Sequence, residues 1–98
     1  MGLLTDHELN MYRTRFLCSL DKLAQGLVDN HVSSDQVYRL AGIKGYRGGL
    51  QATDSLVHHA VTMEYVKLGI GREIMLTDKG LEWCKEICKV DRLATSLN

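Results

Sequence analysis

Apolar residues at Leu9, Tyr12, Phe16, Leu20, Leu23 and Leu27 recur every three or four positions, the spacing of one helix face. Ahead of them Thr5-Asp6-His7-Glu8 forms an S/T-x-x-E capping box, whose side chains satisfy amides that the first turn leaves unpaired. Arg13, Arg15, Asp21 and Lys22 lie off that stripe, Gly26 weakens its last turn, and Asp29-Asn30-His31 reads as its exit. Ser33-Ser34-Asp35 then supplies an N-cap, Val37, Leu40 and Ala41 a short apolar face, and Gly42 a C-terminal stop. A glycine-rich connection, Ile43-Lys44-Gly45-Tyr46-Arg47-Gly48-Gly49, follows. Leu50, Leu56, Val57, Ala60, Val61 and Met63 resume helical spacing to about Glu64.

Beyond this point the period changes from helical to alternating. Tyr65-Val66-Lys67-Leu68 and Arg72-Glu73-Ile74-Met75-Leu76 read as two short strands joined by a turn at Gly69-Ile70-Gly71. Alternation places Val66, Leu68, Ile74 and Leu76 on one side of the hairpin, and Lys67 and Met75 on the other. Thr77 or Asp78 can cap a last helix, about 78–95, with Leu81, Cys84, Ile87, Cys88, Val90, Leu93, Ala94 and Leu97 as its apolar positions. The expected fold is mainly α with a small β-hairpin, a single domain over residues 1–98 in the order helix, helix, helix, hairpin, helix.

The chain has 98 residues, of which 45% are hydrophobic and 24% charged, an ordinary globular balance. A chain of this size supports one core and no large internal cavity. Apolar runs fall far short of the roughly 20 residues that cross a bilayer. Met1-Gly2-Leu3-Leu4-Thr5-Asp6 has no basic flank, so a cytoplasmic, membrane-free setting is expected. The three cysteines, Cys18, Cys84 and Cys88, are too few and odd in number for a disulfide framework, so reduced thiols are expected. Cys84 and Cys88, four apart on one helix face, could supply half of a zinc site. No Cys-x-x-Cys or His-x-x-x-His accompanies them, and packing as small buried hydrophobes is the favoured reading. No metal or cofactor is assigned.

The run of elements resembles the winged helix-turn-helix superfamily. Ser33 to Ala41 stands for its second helix, Leu50 to Glu64 for its third, and the segment from Tyr65 to Gly80 for its wing. Leu76-Thr77-Asp78-Lys79-Gly80 is similar to the leucine-threonine-x-x-glycine segment that closes the wing in many small prokaryotic and phage members. The resemblance covers about residues 5–92 as an order of elements and matches no particular family within the superfamily. It implies a transcriptional regulator that lays its third helix in the major groove of duplex DNA, with the wing on the backbone or minor groove.

Charge bears on that implication. The whole chain is neutral, yet between Arg39 and Arg72 five basic residues (Arg39, Lys44, Arg47, Lys67, Arg72) face two acidic ones (Asp54, Glu64). Phosphate contact needs such a local surplus. Tyr46, Gln51, Thr53 and Ser55 around the start of the third helix add groups able to reach phosphates or base edges. Against this, Asp54 repels phosphate, and His58-His59 carry charge only below about pH 6.5. Adjacent helical residues point about 100° apart, so at most one of these histidines is expected to be buried. Gly45-Tyr46-Arg47-Gly48 also satisfies the GxxG loop of KH domains, but the strands that fold requires are missing. A protein-interaction module or inhibitor is the alternative to DNA binding.

Enzyme motifs are absent: there is no nucleophile elbow, P-loop or dinucleotide fingerprint, and a dyad of Cys18 with His31 has no support from periodicity. The chain is expected not to be an enzyme, and no catalytic residue is assigned. The last helix carries two overlapping apolar stripes. One packs inward, and the other, through Trp83, Ile87, Val90, Ala94 and Leu97, suggests a two-fold dimer.

Overall fold

The computed structural model describes the backbone of residues 5–43 and 49–96 and the side-chain surroundings of residues 5–43 and 56–88. Its elements are α1 (Asp6–Ala24), β1 (Val32–Ser33), α2 (Ser34–Ala41), α3 (Gly49–Thr62), β2 (Val66–Leu68), β3 (Glu73–Leu76) and α4 (Asp78–Ser96). The described residues are thus mainly helical, with one small antiparallel sheet in the order β1-β3-β2.

The expected capping box starts α1: Glu8 donates its backbone N–H to Thr5 Oγ1, and Thr5 donates its own to the Glu8 carboxylate, both at 3.1 Å. The Thr5 N–H and the Thr5 hydroxyl, both donating to the carboxylate, hold the Glu8 carboxyl below its ordinary pKa. The helix ends earlier than its stripe suggests. Gln25 turns left-handed at φ 58°, followed by Gly26 at φ 70°, and the Ala24 carbonyl accepts from the Leu27 N–H at 3.1 Å and from Asn30 Nδ2 at 3.0 Å. Leu27 therefore falls beyond the helix and is exposed, whereas Asp21 is buried where the reversing chain passes over it. Both outcomes depart from the periodic reading.

A third strand joins the expected hairpin. Val32 and Ser33 pair with Ile74 and Glu73 of β3, while β2 pairs with β3 from Val66↔Leu76 to Leu68↔Ile74. Ser33 occupies the N-cap position of α2 but makes no side-chain cap bond. At the other end Gly42, at φ 76°, stops α2, and Ile43 donates its N–H to the Tyr38 carbonyl. That closure drives Ile43 into the core, the apolar contact that accompanies such helix ends.

The core is built from Phe16, Leu17 and Leu20 of α1, Val37 of α2, Leu56 of α3, Ile74 and Leu76 of β3, and Cys84 of α4. Strand alternation holds for Val66, Ile74 and Leu76, all buried, but Leu68 at the far end of β2 projects past the core and is 63% exposed. None of the described helices is long and apolar enough to cross a membrane.

Thr77 and Gly80 explain the segment that joins hairpin to helix. Thr77 Oγ1 accepts the Gly80 N–H at 3.0 Å and donates to the Glu64 carbonyl, while the Thr77 N–H reaches the Tyr65 carbonyl at 3.0 Å. A Cβ on Gly80 would lie 2.0 Å from that same Tyr65 oxygen. The threonine supplies the cap, and the glycine supplies the room.

The cysteines depart from the expectation of reduced thiols. Cys18 of α1 and Cys88 of α4 form a disulfide, with Cα atoms 5.6 Å apart across 70 residues of sequence. Helical periodicity registers only neighbours within one helix and is blind to a pairing of two inner faces. Cys84 keeps its thiol and donates to the Leu17 carbonyl at 3.5 Å. With Cys88 bonded to Cys18, the pair Cys84 and Cys88 offers no two-thiolate zinc half-site, and no group of three potential metal ligands forms among the described residues.

Two stability changes are expected. Gly80→Ala should destabilise the fold by about 2–4 kcal/mol, because the clash is with backbone rather than with a yielding side chain. Replacing Cys18 and Cys88 together by Ala should cost about 2–4 kcal/mol through the lost cross-link over a long loop. Urea unfolding of each variant against the oxidised parent checks both.

Candidate functional site

The surface expected to act lies where α2, α3 and the hairpin meet. Ser34 and Tyr38 of α2, Val57, His58 and Val61 of α3, and the stretch from Gly71 to Ile74 line a cleft of about 340 Å³ there, with Leu68 on its rim. Helical phase explains the α3 side. Val57 and Val61 are four apart, and His58 is exposed beside them. On the α2 side, Tyr38 stacks against the core ring of Phe16 at a centroid separation of 5.5 Å, which fixes the inner wall.

Arg72 lines this cleft at the base of the hairpin turn, and its Nε lies 3.5 Å from Asp35 Oδ1 of α2. Arg39, in the last turn of α2, is exposed. Lys67 is placed differently. Alternation points it away from the Leu68 face, and its Nζ pairs with Asp29 Oδ1 at 2.8 Å. Lys67 and Arg72, the described cations of the hairpin, are therefore not gathered on one face. Gln51, Thr53 and Ser55 fall in the first turns of α3, but their side chains lie outside the described residues, as do Lys44, Tyr46 and Arg47 altogether.

The hairpin turn itself is apolar. Ile70 is 84% exposed at its tip, close in sequence to the exposed Leu68. Gly71 adopts φ +64°, and the Gly69 N–H closes the turn on the Glu73 carbonyl at 2.7 Å. Alternation assigns Leu68 to the side of Val66, Ile74 and Leu76, and Ile70 to the turn, yet Leu68-Gly69-Ile70-Gly71 presents an apolar and glycine surface without a single polar side chain.

Histidines are deployed singly. His31 Nδ1 and Glu73 Oε1 lie 2.9 Å apart, which joins the chain before β1 to β3 and leaves no dyad with the disulfide-bonded Cys18. His58 is exposed and His59 half-buried, as their 100° offset requires. Burial holds the His59 pKa below its ordinary value, with the nearby charges of Arg13 and His58 acting the same way.

On α4, Trp83 is half-buried against the Tyr65 ring at 5.6 Å, so the structure uses it within the chain. Ile87 is 42% exposed. The side chains of Val90 and Ala94, and Leu97 altogether, lie outside the described residues. No protein-family model, curated protein or solved structure matches this chain.

His59 gives a pH prediction with a definite sign. Its folded pKa is lowered, so the unfolded chain binds the proton first as pH falls below about 6.5. The neutral ring therefore favours folding at pH 7, and that contribution is lost as pH drops through this window. The urea midpoint of His59→Gln should fall less between pH 7 and pH 5 than that of the parent. An equal fall in both would show that His59 is not responsible.

Proposed function

We propose that this chain is a winged helix-turn-helix regulator that binds duplex DNA with α3 and the β2–β3 hairpin. The observation that carries the reading is the shared surface of these elements. The second half of α3 and the hairpin base flank one cleft, with α2 closing its third side. A helix presented beside a hairpin in this way can enter a groove while the hairpin follows the adjoining backbone. Arg72 lines that cleft, Arg39 is exposed in the last turn of α2, and Lys44 and Arg47 precede α3 in sequence. Pairing through the outer stripe of α4, from the exposed Ile87 onward, would place two such units on a two-fold symmetric site.

A protein-docking module is the second reading, favoured by a separate observation. Leu68 and Ile70 expose an apolar tip, and both described cations of the hairpin, Lys67 and Arg72, already face carboxylates. Apolar contact with neutralised charge on its flank suits a protein surface better than a phosphate backbone.

Titration of the chain with random-sequence duplex at several salt concentrations separates the two. DNA binding predicts an affinity that falls steeply with salt, and a slope reduced by about one unit for each cation reversed in Lys44→Glu/Arg47→Glu. Gln51→Ala should weaken only a preferred site, by about 1–3 kcal/mol, if it reads an adenine edge. An intact slope in the double reversal removes this face from the DNA model. Absence of duplex binding at low salt makes the docking reading the leading one.

A further inference from the structure

We propose that the Cys18–Cys88 disulfide is a cleavable clasp, opened at the Cys18 sulfur by a small anionic thiol. The two cysteines are unequally covered: Cys18 is 9% exposed and Cys88 2%. A second cleft, of about 300 Å³, opens over Cys18 between α1 and α2, lined by Arg15, Cys18, Ser19, Lys22, Leu40 and Ala41. Cys88 does not line it. Arg15 and Lys22 stand three residues before and four after Cys18, positions that share one side of a helix, so two exposed cations line the cleft together with Cys18. The described lining contains no acidic residue, and the half-exposed Leu40 gives it an apolar wall. The volume is that of a small-molecule site at the lower end of the usual range.

The chemistry follows from ordinary thiol–disulfide exchange. A thiolate RS⁻ attacks Cys18 Sγ and forms a new S–S bond there. The Cys18–Cys88 bond breaks, and its electron pair goes to Cys88 Sγ, which takes a proton from water. A second RS⁻ then attacks the R sulfur, releasing Cys18 as a thiolate and RSSR as product. Two thiols are oxidised and one protein disulfide is reduced. Arg15 and Lys22 assist twice, by raising the local concentration of an anionic thiolate and by stabilising Cys18 as it leaves. Opening the clasp removes the covalent tie between α4 and α1. This inference stands apart from the DNA reading, since the cleft lies on α1 and the end of α2 rather than beside α3.

The test uses the full oxidised chain. Thiol titration after denaturation should find one thiol per chain, that of Cys84, whereas three would overturn the proposal. The folded protein is then exposed at low salt to reduced glutathione or to cationic cysteamine, at equal thiolate concentrations. Acid quenching and peptide mapping by mass spectrometry locate the mixed disulfide. It should form on Cys18, roughly fivefold faster with glutathione, and the preference should vanish near 1 M salt. Arg15→Gln/Lys22→Gln, both exposed, should keep the fold by circular dichroism and lose the preference. Modification at Cys88, equal rates for the two thiols, no mixed disulfide at all, or a preference that survives in the double variant would each overturn it.

Discussion

The junction of hairpin and last helix depends on one close approach, the Tyr65 carbonyl oxygen occupying the space where a Cβ of Gly80 would stand. Only Thr77 separates β3 from α4, so the first turn of the helix must pass directly over the chain that enters β2. Only a residue without a side chain permits this. Thr77 completes the joint by capping the helix while donating to the carbonyl of Glu64, which lies two residues past α3 in a left-handed conformation at φ 65°. Three elements are thereby fixed at one point: the end of α3, the start of β2 and the first turn of α4. The angle between α3 and the hairpin, and with it the cleft they share, follows from that joint. Lys79 over the Tyr65 ring, 5.7 Å from its centroid, and Trp83 against the same ring cover its outer side.

From the other end of α4 the constraint is covalent. Cys88 ties the helix to α1 one turn after Cys84 has placed its thiol on the Leu17 carbonyl. Leu17 and Cys18 are adjacent, so two successive residues of α1 receive two successive turns of α4. The helix is held at its start by a cap and a glycine, and further along by sulfur. Its inner face is specified at both places, which leaves Ile87 on the outer side.

The helices and the hairpin were legible because each announces itself locally, through the capping box at Thr5 and Glu8, the stop at Gly42, and the switch of period after Glu64. Features that depend on distant partners were not. A strand of two residues, Val32–Ser33, has no pattern of its own and exists because β3 offers a free edge beside it. Asp21 reads as a solvent position on a helical wheel, yet the chain reversal that begins at Gln25 covers it. Leu68 obeys strand alternation and is exposed all the same, because the sheet outruns the core at that end. The disulfide joins positions that share no helix. For the candidate site, the basic surplus between Arg39 and Arg72 was visible as a sum, but not its distribution, because the carboxylates of Asp29 and Asp35 lie outside the counted segment and fold back onto Lys67 and Arg72.

Those two pairings bear on how a polyanion would meet the hairpin. Both are between exposed groups, with side-chain exposures of 55% and 59% for Lys67 and Asp29, and 66% and 46% for Arg72 and Asp35. Exposed pairs of this kind contribute about 0–1 kcal/mol, so a phosphate can exchange for either carboxylate at small cost. Long-range steering is another matter, because a cation beside a carboxylate presents almost no field beyond a Debye length of about 8 Å. In the DNA reading, Lys67 and Arg72 therefore act only after contact, and attraction from a distance falls to cations outside the hairpin. In the docking reading the same neutrality is an advantage, since an apolar tip flanked by satisfied charges loses little solvation when a protein covers it. In the DNA reading the hairpin's electrostatics thus separate the stage of encounter from the stage of fit, with Asp29 and Asp35 setting that separation.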